Sequence, residues 1–109
     1  MTALSFHLTK IGSGDFLLEP AKSLNIREQS GHIENITARL LQTRASRLYY
    51  DLSGLALIDP LYYSWLDALA RAAQTVNVKM ICINMQPTAA FALSRFLHQR
   101  PVFETALNI

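Results

Sequence analysis

Two aspartates carry the chemistry most readily read from this chain. Asp51 and Asp59 stand eight residues apart, the first closing an apolar stretch and the second directly preceding Pro60. Such a pair suits two tasks. As a catalytic acid and base it would need a concave pocket and at least one carboxyl with a displaced pKa. As structural groups, Asp59 would bond the free amides of a helix start, the commonest use of an aspartate before a helix, and Asp51 would simply end a strand. In a parallel sheet both would reach the carboxyl edge, where open α/β sheets place their sites.

Other reactive groups form no constellation. Ser53-Gly54 follows Asp51-Leu52 but lacks the leading glycine of the G-x-S-x-G nucleophile elbow. His7, His32 and His98 share no ligand spacing, so no metal site is expected. Cys82 is the single cysteine and lies among Met80, Ile81 and Ile83, where it reads as a small core residue. Gly12-x-Gly14 is too short for a dinucleotide fingerprint, and no G-x-x-x-x-G-K-[ST] phosphate loop occurs. No cofactor is therefore expected. The tyrosine pairs 49/50 and 62/63 adjoin no basic stripe, which favours packing over base stacking.

The elements that must position these residues follow from periodicity. Leu4, Phe6 and Leu8 alternate with polar residues to Thr9, a half-buried strand. Gly12-Ser13-Gly14-Asp15 reads as a hairpin turn, and Phe16 to Glu19 as the returning strand, limited by Pro20. Ala21 to Gly31 gives no clear assignment, since Gly31 within a helix costs roughly 1 kcal/mol against alanine. Beyond it, Ile33, Ile36, Leu40 and Leu41 recur at helical spacing and predict one buried stripe. Arg47 to Leu52 is an aromatic-rich strand, followed by the apolar run Leu55 to Ile58.

Asp59-Pro60 then opens the clearest helix, with a favoured N-cap and a proline suited to the first turn. Tyr62, Leu66, Leu69 and Ala73 make its stripe, flanked by Leu61 and Trp65, and Asp67 with Arg71 forms an outer i,i+4 ion pair. Val78 to Ile83 predicts a strand covered on both faces. Pro87 starts a third helix with Ala89, Leu93, Phe96 and Leu97 inward, and Val102 to Ile109 reads as a final strand. The order β-β-α-β-α-β-α-β predicts a single α/β domain over residues 1–109, with a central mixed sheet and helices packed against it.

Composition supports this and excludes other classes. Half of the 109 residues are hydrophobic, enough for a core without disulfides. Ten basic against eight acidic residues, with no Lys/Arg cluster, argue against nucleic-acid binding. The apolar runs fall short of a membrane span. Met1 to Lys10 lacks a basic start before an apolar block, so no secretory signal is expected and a cytoplasmic location is.

From Tyr49 to Phe96 the chain resembles the STAS domain, the sulfate-transporter and anti-sigma-factor-antagonist module. The family motif runs from Asp-Leu-Ser through an apolar run into Ile-Asp-Ser and a helix. Here it reads Tyr50-Asp51-Leu52-Ser53-Gly54, then Leu57-Ile58-Asp59-Pro60. The later turn, Asn84-Met85-Gln86-Pro87, resembles the Gly-Met-Gln-Pro turn of short antagonists from stressosome cores. Thr105-Ala106-Leu107-Asn108 resembles that subgroup's terminal stretch.

The resemblance implies a non-enzymatic partner-switching protein that binds a serine kinase or anti-sigma factor, with possible homo-oligomerisation or co-assembly with other STAS proteins. Its docking surface would comprise Ser53, Gly54, Asp59, Pro60, Leu61, Tyr62 and Tyr63, with Asp59 orienting the loop and Asp51 bracing it. Exposed Tyr63 or Phe103 could join a self-contact. In the family, phosphorylation of the serine after the second aspartate breaks the partner contact. A phosphate places roughly −1.5 to −2 charges at the helix start, which an acidic or apolar partner surface opposes.

Pro60 occupies that position and has no hydroxyl. Either the domain is held in its binding-competent form, or Pro60 is only a good helix starter and regulation lies elsewhere. The family's second acceptor, a threonine in the third helix, aligns with Ala92. The subgroup's terminal helix has no counterpart before Ile109, which puts stacking into a large assembly in question. An alternative within the family is a subunit docking on a transporter ATPase, such as a lipid-trafficking ABC system. Outside it stands a small enzyme using Asp51 and Asp59.

Overall fold

The structure, a computed structural model, describes residues 6–97 and 99–109. Leu4 and Ser5 of the first predicted strand, the rest of the residues before Phe6, and His98 lie outside it. The chain builds β1 (Phe6–Gly12), β2 (Asp15–Pro20), α1 (Gln29–Gln42), β3 (Arg47–Asp51), α2 (Pro60–Thr75), β4 (Lys79–Ile83), α3 (Pro87–Ser94) and β5 (Glu104–Ala106). The expected element order and mixed α/β class are both found. The five strands form one sheet in the order β1-β2-β3-β4-β5; β1 and β2 are antiparallel and each later neighbour is parallel.

Strand alternation sorts the sheet into two faces. Phe16, Leu18, Leu48, Tyr50, Met80 and Cys82 share one buried cluster with Ile36 and Leu40 of α1, Leu66 and Leu69 of α2, and Ala89 and Leu93 of α3. All three helices therefore cover one face, as right-handed crossovers between successive strands require. On the other face, register sets Leu17, Tyr49 and Ile81 side by side. The expectation that β4 is covered on both faces holds in part: Ile83 and Tyr49 on this face are buried, and Ile81 is half-buried. The apolar run of β4 arises because Ile81 packs beside neighbouring strand side chains, without a second helical layer.

The β1–β2 turn is tight because Gly14 takes φ +80°, which a side chain rarely adopts. Its carbonyl accepts from Ser46 N at 2.7 Å and Arg47 N at 3.0 Å, tying the turn to the start of β3. Asp15 adds an ion pair to Arg47 at 3.1 Å.

Several sequence expectations shift. Helix α1 begins before Gly31, not after it. A Cβ at Gly31 would meet nothing within 4 Å, so the helix passes through glycine without a steric reason for it. Leu41 is exposed, leaving Ile36 and Leu40 as the buried stripe. Trp65 is not a flank but fully buried, because α2 packs on both the sheet and α1. Helix α3 stops at Ser94, so Phe96 and Leu97 pack from the segment beyond it. Phe103 is buried under Tyr63 rather than exposed, which removes it from any self-contact. Strand β5 is only three residues long.

Candidate partner-docking edge

The loop from Leu52 to Asp59 and the first turn of α2 occupy the carboxyl edge of the sheet. Asp59 takes the extended conformation of an N-cap, and its Oδ1 accepts from Tyr62 N at 2.8 Å. Pro60 fills the first helical turn, where its missing N–H leaves nothing unpaired. Asp59, Pro60 and Leu61 are exposed, while Tyr62 and Tyr63 are half-buried. Leu57 and Leu61 flank Asp59-Pro60 and are 60% and 38% exposed. Ile58 between them is fully buried and anchors the loop.

Asp51 does something the sequence could not show. Its Oδ1 accepts from Ser53 N at 2.9 Å, a local turn, and from Asn84 Nδ2 at 3.3 Å, on a distant turn. The two aspartates therefore serve different local structures. A concavity of about 470 Å³ beside β2 and β3 takes in Asp51, Ser53, Gly54 and Tyr62 but not Asp59, together with Glu19, Lys22 and Leu24. It sets the two carboxylates of the acid/base reading in different surroundings.

Tyr62 faces two ways. Its hydroxyl lies 2.6 Å from that of Tyr50, which in turn accepts from Trp65 Nε1 at 2.8 Å. Tyr50 is fully buried, and among the described residues its own proton has only Tyr62 Oη to go to. The donors therefore run from Trp65 through Tyr50 to Tyr62, and the last proton is left for the concavity. Burial holds Tyr62 up to about 12 and lifts Tyr50 well above the usual phenol value, so both remain protonated donors at neutral pH. Burial likewise pushes the Cys82 thiol up, which makes it inert. Tyr63 turns toward the segment beyond α3, edge-on to Phe96 and tilted against Phe103 at 5.8 Å and 6.0 Å between centroids.

Three residues that sequence reasoning did not single out as site residues hold this edge. Asn84, Gln86 and Thr88, on the β4–α3 turn and the start of α3, each reach into the β3–α2 region. Phe91, on the same helix, is 66% exposed with the Arg95 guanidinium 5.8 Å from its ring centroid. Among the described residues, no group of three or more His, Cys, Asp or Glu could hold a metal, and no helix is long and apolar enough to cross a membrane.

No family model and no curated protein sequence matches the chain. Solved structures do. A variant of Moorella thermoacetica RsbS superposes with a TM-score of 0.78 at 19% identity, covering 94% of this chain and 88% of that one. A chain of the stressosome, described as a signal integration and transduction hub, gives 0.67 at 21% identity over 94% and 89%. The anti-sigma factor antagonist SpoIIAA, unphosphorylated, gives 0.61 at 12% identity over 95% and 89%. Over nearly its whole length, this chain has the STAS fold that its Asp-Leu-Ser and Ile-Asp motifs resemble.

Proposed function

We propose that this chain is a non-catalytic docking module of the partner-switching type, working as an anti-sigma-factor-antagonist or stressosome-type component. The observation that carries this reading is the exposed apolar pair Leu57 and Leu61 set around Asp59-Pro60, at the helix start where STAS proteins exchange partners. Asp59 shapes that edge by capping α2, Asp51 braces the loop, and Ser53-Gly54 with Tyr62 and Tyr63 form its borders. A serine kinase or anti-sigma factor is the partner class, with other STAS proteins as co-assembling subunits. Pro60 offers no oxygen to a kinase, so the edge carries no phosphate at that position and stays open to its partner.

The test pairs capture with phosphorylation. Wild-type chain retains such a kinase from lysate of its own cells, Leu61→Ser loses it, and Pro60→Ser gains phosphate and releases it. Capture of no kinase or anti-sigma factor, or equal capture by Leu61→Ser, overturns the reading. Recovery of a transporter ATPase with its permease instead would transfer the edge to the ABC-type role.

A further inference from the structure

The β3–α2 loop makes few backbone bonds of its own. Leu55 N reaches Leu52 O at 3.0 Å, and Leu52 N reaches Ile83 O at 2.9 Å. What spans the remainder comes from elsewhere in the sequence. Gln86 Nε2 donates to Ser53 O at 2.7 Å, and Thr88 Oγ1 donates to Ala56 O at 2.5 Å. Asn84 Nδ2 donates to Asp51 Oδ1 where the loop begins. Three successive even-numbered positions thus grip the loop at the residue before it, at its second residue and at the residue before Leu57.

The grip depends on an unusual backbone. Asn84 has φ +59°, a left-handed conformation that asparagine tolerates better than most residues. A glycine would take the same conformation more easily but would have no amide to offer Asp51. Asn84 N also donates to Leu107 O at 3.2 Å, so the turn is itself fixed to the chain beyond β5. Pro87 begins α3 directly after Gln86, which fixes Thr88 in the first helical turn.

We infer that Asn84, Gln86 and Thr88 are positioning residues for the docking edge: a clamp on the β4–α3 turn that sets the shape of the loop carrying Leu57. Its functional meaning rests on the docking role proposed above; the clamp itself does not. Thr88 and Phe91 stand three apart on α3 and share a helix face. The Thr88 bond to Ala56, the residue before exposed Leu57, ties the loop to the helix that carries exposed Phe91. A partner that grips Phe91 also acts, through Thr88, on the loop.

Amide hydrogen exchange of the full chain, read residue by residue without any partner, tests the clamp. In Gln86→Leu/Thr88→Val, the loop amide of Leu55, bonded to Leu52 O, is expected to exchange about tenfold or more faster, the effect of losing two hydrogen bonds that oppose local opening. Core amides at Tyr50 and Met80 keep their rates. Thr88→Ser retains the donor and keeps wild-type loop exchange, and Asn84→Gly speeds exchange at Ser53, whose amide is bonded to Asp51 Oδ1. Unchanged loop exchange in the double variant overturns the clamp. So does acceleration shared equally by the core, or failure of Thr88→Ser to preserve the wild-type rate. A clamp that passes while Leu61→Ser still captures the kinase would leave the positioning intact and remove the docking role.

Discussion

Replacing Tyr50 by phenylalanine removes one oxygen from the centre of the molecule and leaves its shape alone. The fully buried Trp65 Nε1–H then has no acceptor, since its bond at 2.8 Å goes to that oxygen. An orphaned buried donor costs about 1–3 kcal/mol, and the lost bond to Tyr62 adds about 0.5–1.5 kcal/mol. The expected total is about 1.5–4.5 kcal/mol, a large share of a small domain's stability. Tyr62→Phe deletes the other end of the same 2.6 Å bond, but Tyr62 lines the open concavity, where water can take its place. Its cost is therefore about 1 kcal/mol or less.

The two changes share a bond, so the double variant should cost little more than Tyr50→Phe alone. Trp65 is the only tryptophan, and its fluorescence reports urea unfolding from inside the network. With a urea slope of about 1–3 kcal/mol/M, a loss of about 2 kcal/mol lowers the midpoint by roughly 0.7–2 M. Equal costs for the two single variants, adding fully in the double, would refute the ordered relay.

Three further outcomes are expected. Asp59→Ala removes the cap on Tyr62 N and lowers stability by about 1 kcal/mol, whereas Asp59→Asn retains most of it; equal losses in urea melts would show that capping is not its role. Gly31→Ala raises stability by about 1 kcal/mol because the helix has room, while Gly14→Ala lowers it because φ is positive and the new Cβ would lie 3.0 Å from Ser46 Oγ; thermal melts moving in one direction for both would contradict this. Tyr62 keeps its proton to about pH 12 when folded, but to only about 10 when unfolded. Stability is therefore full below pH 10 and falls by about 1.4 kcal/mol per unit as pH rises toward 12, with Tyr50 adding in the same sense; urea midpoints that stay flat from pH 9 to 11.5 would oppose it.

Local signals in the sequence located what local chemistry determines. Asp59-Pro60 marks the start of α2 because the cap and the proline act within one turn, and Asp67 and Arg71 meet at 2.9 Å because four residues make one turn. The start of α1 was hidden because Glu28 caps it with no side-chain bond and Gly31 reads as a breaker. Burial of Ile36 and Leu40 outweighs that cost only once the sheet is present. Trp65 and Phe103 were misplaced for a related reason, since α1, which covers Trp65, and Tyr63 of α2, which covers Phe103, are remote in sequence. At the carboxyl edge of the sheet, Asp51 and Asp59 were visible as candidates. Their division of labour was not, because Asn84, Gln86 and Thr88 reach across some thirty positions of sequence.

The monotonic strand order has a consequence for the chain as it leaves the ribosome. Each new strand adds beside the one just made, so no gap waits for a segment not yet synthesised. Sheet growth proceeds from the opening hairpin outward, each parallel pairing (Asp15 with Arg47, Arg47 with Lys79, Ile81 with Glu104) closing over a single crossover. Until β5 joins, the growing edge is β4, and the backbone groups of Ile81 to Ile83 that will pair with Glu104 to Ala106 stand open to any other strand.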